Sequence, residues 1–193
     1  MKLFILKVIF ITLGFAVIQP SQASLDFFAE LGIHDGGDDV LTVNFTDGTS
    51  RDIQAGEFLS VGLGVAWDMG EYLESRLYAG WLGDDVSATN GNVKLNRWTS
   101  NFMLFLKAGG WRFGGGAAYH WDVKLDGSGD ATNASADFED AFGVVAEVDY
   151  YFTENAYVGL QYLNMDYDRL ATMSNSAKTF DASSIGLTIG GRW

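Results

Sequence analysis

WRFGGGAAYHWD, residues 111–122, alternates without interruption. Trp111, Phe113, Gly115, Ala117, Tyr119 and Trp121 fall on one parity, and Arg112, Gly114, Gly116, Ala118, His120 and Asp122 on the other. Successive side chains of an extended strand point to opposite faces, so this stretch predicts a strand with one aromatic, apolar side and one small or charged side. The same alternation fits a half-buried sheet of a soluble β-sandwich or lipocalin-like protein as well as the wall of a membrane barrel.

The same period recurs along the chain. Leu25, Phe27, Ala29, Leu31 and Ile33 oppose Asp26, Phe28, Glu30, Gly32 and His34, and Leu59, Val61, Leu63, Val65 and Trp67 oppose Ser60, Gly62, Gly64, Ala66 and Asp68. Further segments start at Leu73, Arg97, Phe138 and Ala156, and the last is SSIGLTIGGRW, residues 183–193, in which Ile185, Leu187, Ile189, Gly191 and Trp193 share a face. In the seventh segment, Val158, Leu160 and Tyr162 lie outward but the parity blurs after Leu163, as a bulge would cause. These eight segments have about the 9 to 11 residues that a tilted strand needs to cross a bilayer. Their connections alternate: 69–71, 108–110 and 153–155 are tight, whereas 35–56, 84–93, 124–136 and 168–179 are long, polar and acidic. Within the first long connection, Val40–Thr46 and Thr49–Gln54 flank Asp47-Gly48 and predict a hairpin, either two further strands of a ten-stranded barrel or, the preferred reading because Ile53 is the one substantial apolar residue on the outer side of the second arm, a hairpin projecting within that loop.

Lys2 and Lys7 precede an apolar run from Val8 to Ile18 that ends in Ser21-Gln22-Ala23, the pattern of a cleaved secretory leader. Residues 1–23 are therefore expected to be a signal peptide and 24–193 a single outer-membrane β-barrel domain. Of 12 basic and 25 acidic residues, both leader lysines are lost, which leaves a formal charge of −15 and argues against nucleic acid as a partner. The absence of cysteine excludes disulfides, thiolate metal sites and thiol nucleophiles. No stretch after residue 23 approaches about 18 consecutive apolar residues, so membrane crossing has to be by strands.

The expected fold is an all-β, eight-stranded, antiparallel up-and-down transmembrane barrel with short periplasmic turns and longer extracellular loops. Trp67, Trp111 and Trp193 then fall at the short-turn ends of their strands and Trp81, Trp98 and Trp121 at the long-loop ends, as two interfacial aromatic girdles would place them. These residues resemble the small bacterial outer-membrane β-barrel proteins of the OmpA, OmpX and OmpW kind over the whole of 24–193. The terminal Gly186-Leu187-Thr188-Ile189-Gly190-Gly191-Arg192-Trp193 is the most specific part and resembles the signal read by the barrel-assembly machinery, with Gly186, Leu187, Ile189 and Trp193 as its bearers. That family more often ends in Phe. The stretch from Asp38-Asp39 to Gly56 and the residues 111–120 carry the same likeness. The resemblance implies residence in the cell outer membrane, contact with lipid and lipopolysaccharide, and no cofactor.

An eight-strand ring is about wide enough for side chains to fill. By parity its lumen receives Glu30, Glu74, Asp122, Glu139, Glu147 and Asp149 together with Arg76, Arg97, Lys107, Arg112 and Arg192. Unpaired charges in a confined interior are costly, so an ion-pair network is expected, interleaved with inward glycines such as Gly62, Gly80, Gly114 and Gly159. Such a lumen is plugged and suits a non-enzymatic, structural or surface-interaction protein; a small porin-like channel for hydrophobic or small polar solutes is the alternative. The spacing of His120-Trp121-Asp122 resembles the His and Ser two apart of outer-membrane lipid A deacylases, but Asp122 replaces the nucleophile. A metal site from His34, His120 and Asp122 is disfavoured because its strands lie across the ring from one another. The acidic loop residues Asp35, Asp38, Asp39, Asp84, Asp85, Asp126 and Asp130 are candidates for divalent cations bridging to lipopolysaccharide phosphates.

Overall fold

A computed structural model describes residues 24–44, 50–56, 58–87, 91–129, 135–170 and 178–193. The expected leader, residues 1–23, and the Asp47-Gly48 turn lie outside them. Among the described residues there is no helix. The strands in chain order are β1 (Leu25–Asp35), β2 (Asp39–Asn44), β3 (Ser50–Gln54), β4 (Phe58–Asp68), β5 (Leu73–Ser87), β6 (Gly91–Ala108), β7 (Trp111–Gly129), β8 (Ala136–Asp137), β9 (Ala141–Tyr151), β10 (Ala156–Asn164), β11 (Asp166–Arg169), β12 (Lys178–Asp181) and β13 (Ser184–Arg192).

Eight of them close into a barrel. The ladder runs β6-β5-β4-β1-β13-β10-β9-β7, and β7 pairs back onto β6, every pairing antiparallel. The seam between the first and last strands is in continuous register from Phe28↔Arg192 to Asp35↔Ile185. Past it, Phe27 and Trp193 exchange both backbone hydrogen bonds, at 3.1 and 2.9 Å. No open edge is left for lipid to meet, which is the condition for strands to cross hydrocarbon.

Side-chain direction follows the sequence pattern. Leu31, Leu63, Phe113, Val144, Leu160 and Leu187 face outward, with Leu63 63% and Leu187 69% exposed, while Arg76, Glu147 and Asp149 are buried inside. An outward apolar belt around an inward charged set is the inverse of a soluble protein and matches a lipid surround. Trp98, Trp111 and Trp193 are exposed on this outer face, and Trp81 and Trp121 are half-buried on it. Trp81, Trp98 and Trp121 are consecutive register partners across three strands. Trp67 departs from the girdle reading. It is 7% exposed, and its register partner Ser75 is 3% exposed.

The long-loop end is folded inward. The hairpin of β2 and β3 exists, from Asp39↔Gln54 to Asn44↔Ser50, but it does not project as expected. Ile53 and Ala55 are wholly buried in one apolar cluster with Val86, Val93, Leu95 and Phe180. A second hairpin, β11 with β12, continues the barrel wall and meets the first: Asp38 N–H donates to the Asp181 carbonyl at 2.7 Å, and Asp181 N–H to Asp38 Oδ2 at 3.0 Å. The blurred parity after Leu163 is explained by this cap. Leu163, Met165 and Tyr167 stay on the inner face, but that face turns apolar where the cap begins.

Two outcomes test this architecture. Leu63→Arg is expected to destabilise the folded barrel in bilayers by about 2–4 kcal/mol, read from urea unfolding, because the guanidinium would enter hydrocarbon at mid-strand. Gly37 has φ +88° and its Cβ would meet Gly56 N at 2.7 Å and Asp181 O at 2.9 Å. Gly37→Val should therefore loosen the cap by about 1–3 kcal/mol, seen as faster protease cleavage within 36–57 while the barrel keeps its compact gel mobility.

Candidate functional site

The lumen is the site, and its centre is Arg76 on β5. Its Nε donates to Glu74 Oε1 at 2.5 Å, Nη1 to Asp149 Oδ2 at 2.6 Å, and Nη2 to the Tyr151 hydroxyl at 3.1 Å; Glu147 Oε1 lies 3.6 Å from Nη1. The guanidinium also lies 4.0 Å from the Phe105 ring centroid and 5.0 Å from that of Tyr157. A planar, weakly hydrated cation with a fork of donors is the side chain best suited to such a slot. Antiparallel register puts the carboxylates in reach: Glu147 and Asp149 on β9 face across the ring from β5.

Glu74, wholly buried, joins Arg76 to the turn end. Its Oε2 accepts from Arg192 Nη1 at 3.1 Å and lies 3.7 Å from Arg112 Nε. Arg192 also pairs with Asp26 and lies 3.7 Å from Asp68, which in turn holds Lys107 Nζ at 2.6 Å. Arg112 is anchored by the carbonyls of Gly109 and Trp111 at 2.9 and 3.0 Å. Thus Glu74, Arg76, Lys107, Arg112, Glu147, Asp149 and Arg192 meet in one network. Glu30 borders it and accepts from the Tyr157 hydroxyl at 2.7 Å, and Gln161 donates to Glu147 at 2.5 Å.

Three residues assigned to the network lie elsewhere. Asp122 sits in the left-handed region at φ 54°, inside the register shift that opposes Asn96–Trp98 to Trp121–Lys124. This bulge turns it outward, where it pairs with Lys124 at 2.6 Å, and sends Val123 and Leu125 inward in its place. Glu139 is exposed because the chain between β8 and β9 is not strand: Phe138, expected outward, is buried in the cap, and Glu139 N–H donates to the Asp168 carbonyl at 2.8 Å. Arg97 does point inward, but higher, 5.6 Å from the Tyr167 ring and with Asp84 as its carboxylate neighbour.

Sequence reasoning missed Asp26 and Asp68 as network members and the rings as its packing. Both acids lie on the inward parity, but at strand ends, where parity alone says nothing about reach. The inward glycines are spaces for rings more than for ions. A Cβ on Gly62 or Gly80 would strike Tyr78, one on Gly64 Phe28, one on Gly114 Phe105 and one on Gly190 Tyr157.

Above the network lies a cavity of about 20 Å³ bordered by residues that include His34, Ser60, Asn101, His120 and Gln161. That holds about one water. His34 Nε2 is 2.8 Å from Ser60 Oγ and His120 Nδ1 is 2.5 Å from the Tyr167 hydroxyl. The two histidines, on strands across the ring, border the same cavity because both reach its axis; Asp122 does not join them. Among the described residues no three metal-ligating side chains gather.

Removing Arg76 while keeping its volume is expected to be severe. Arg76→Met would leave Glu74, Glu147 and Asp149 without their shared cation, and a loss of about 3–5 kcal/mol is expected in urea unfolding of the micelle-embedded barrel.

No family model matches the sequence, and no curated protein does. Solved structures do. Outer membrane protein H (OprH) of Pseudomonas aeruginosa, solved in DHPC micelles, superposes with a TM-score of 0.50 at 14% identity over 87% of this chain and 99% of that one. The outer membrane protein AlkL, in lipid bilayers, gives 0.49 at 11% identity over 93% and 95%. Neisserial surface protein A gives 0.48 at 14% identity over 90% and 100%. Closed at eight strands, apolar outside and charged within, this chain has the fold of the small outer-membrane β-barrels.

Proposed function

We propose that the protein is a non-enzymatic barrel of the bacterial outer membrane, exported by a cleaved leader and acting through its rigid body and its cell-surface loops, with a lumen plugged against solutes. The observation that carries this reading is the Arg76 network, its centre buried from the surface, below a cavity of about 20 Å³. An ion entering there would have to displace a cation already held by three carboxylates, in a region where stripping water from charge is expensive.

Within the lumen, a base beside a hydroxyl has no space for a substrate. His34 beside Ser60 is a base next to a hydroxyl, but a nucleophile needs space for a substrate, and one water fills this one. In the same reading the terminal strand, with Gly186, Leu187, Ile189 and Trp193, is the address for the barrel-assembly machinery. The loops contact lipopolysaccharide, and divalent cations gather at their carboxylates.

Planar bilayers test the plug. The wild-type barrel is expected to give no steady conductance, and Arg76→Ala to give at most brief openings because the cap remains. A steady wild-type conductance that changes in Glu147→Ala would instead establish the channel reading.

A further inference from the structure

The outer wall carries a step at its loop end. β7 follows β9 up to His120↔Ala141, and pairing resumes with β8 only at Lys124↔Asp137. Between the two, Asp122 bulges out, and the chains are linked by the hydrogen bond from Phe138 N–H to the Val123 carbonyl, 3.0 Å, beside that of the Tyr119 hydroxyl to Asp140 Oδ2. The step leaves an open groove of about 560 Å³ on the outer wall. Its floor is Trp98, Trp121 and Leu170, with Trp98 and Leu170 exposed. Its rim carries three carboxylates, Asp122, Asp137 and Asp140, against one ammonium, Lys124, which is already held by Asp122.

We propose that this groove is a lateral seat for an amphiphilic organic cation. The ammonium head sits over the indoles between Asp137 and Asp140, and the hydrocarbon chain runs down the outer face past Trp98 into the apolar belt. Three observations select this occupant. Indole faces attract ammonium groups, most strongly where water is excluded. The rim's surplus of two negative charges repels anionic heads and favours cationic ones. The floor is continuous with the lipid-facing surface, because Trp98 and Trp121 are register partners on the outward parity, so a tail on the ligand can run along apolar surface. The inference rests on the membrane reading given above but not on the plug.

Isothermal titration of barrel-loaded zwitterionic nanodiscs, corrected against empty ones, tests it with three probes sharing a hexyl tail: hexyltrimethylammonium, hexyl glucoside and hexyl sulfate. Saturable binding is expected for the ammonium probe alone. Asp137→Asn with Asp140→Asn should weaken it about tenfold, and Trp121→Leu by a similar factor with the charge untouched. Lys124→Glu should tighten it. All substituted residues line the groove, and retained gel mobility certifies the fold. No saturable ammonium binding to the wild type, equal binding by the Asp137→Asn, Asp140→Asn protein, or a preference for glucoside or sulfate would overturn the proposal; conductance is read separately and is unaffected by it.

Discussion

Closure of the backbone ladder is the constraint from which the rest follows. Hydrocarbon offers no partner for an amide or a carbonyl, so each strand has to find both neighbours. Here the last demand is met where β1 meets β13, through eight register pairs and the reciprocal bonds of Phe27 and Trp193. Once eight strands close, the radius is set, and an eight-strand radius leaves space for side chains and little else. The interior is then a packing problem with a fixed volume, solved by alternating rings with glycines: Tyr78 over Gly62 and Gly80, Phe28 over Gly64, Tyr157 over Gly190.

Within that volume the charges are graded by depth. Glu74 and Asp149 are wholly buried, Arg192 is 15% exposed at its side chain and Asp26 26%. The groups nearest water are partly hydrated and lose little on folding. Two of the deepest have several partners: Glu74 meets three guanidinium groups and Arg76 three carboxylates. Several opposite charges around one group are what offsets the cost of taking it out of water.

What the sequence made legible is what a period of two can carry. The eight spanning strands, the outward placement of Leu63, Val144 and Leu187 and the inward placement of Arg76, Glu147 and Asp149 all follow from parity alone, because closure forbids a strand to turn over in the membrane. Parity failed where the ladder is interrupted. One extra residue at Asp122 reversed the faces beyond it, and the gap between β8 and β9 reversed Phe138 and Glu139; neither carries a glycine or proline that would have announced it. The inward turn of the hairpin at Ile53 was hidden for another reason. A loop's docking partner, here Phe180 and Ala182, is more than a hundred residues away, and no local pattern encodes the meeting.

The two halves of the interior are not independent, and Phe105 is why. Its ring belongs to the apolar cluster under the cap, and its face lies 4.0 Å from the Arg76 guanidinium. The cap excludes water from above through Ile53, Phe180 and their neighbours, and that exclusion keeps the dielectric low around the ion pairs below. Charges held in such a medium attract more strongly than they would in water. Conversely, the cation beneath Phe105 fixes the ring on which the cap's lower layer packs. A barrel built this way resists opening at either end, because loosening the cap admits water to the network, and breaking the network removes the floor on which the cap rests.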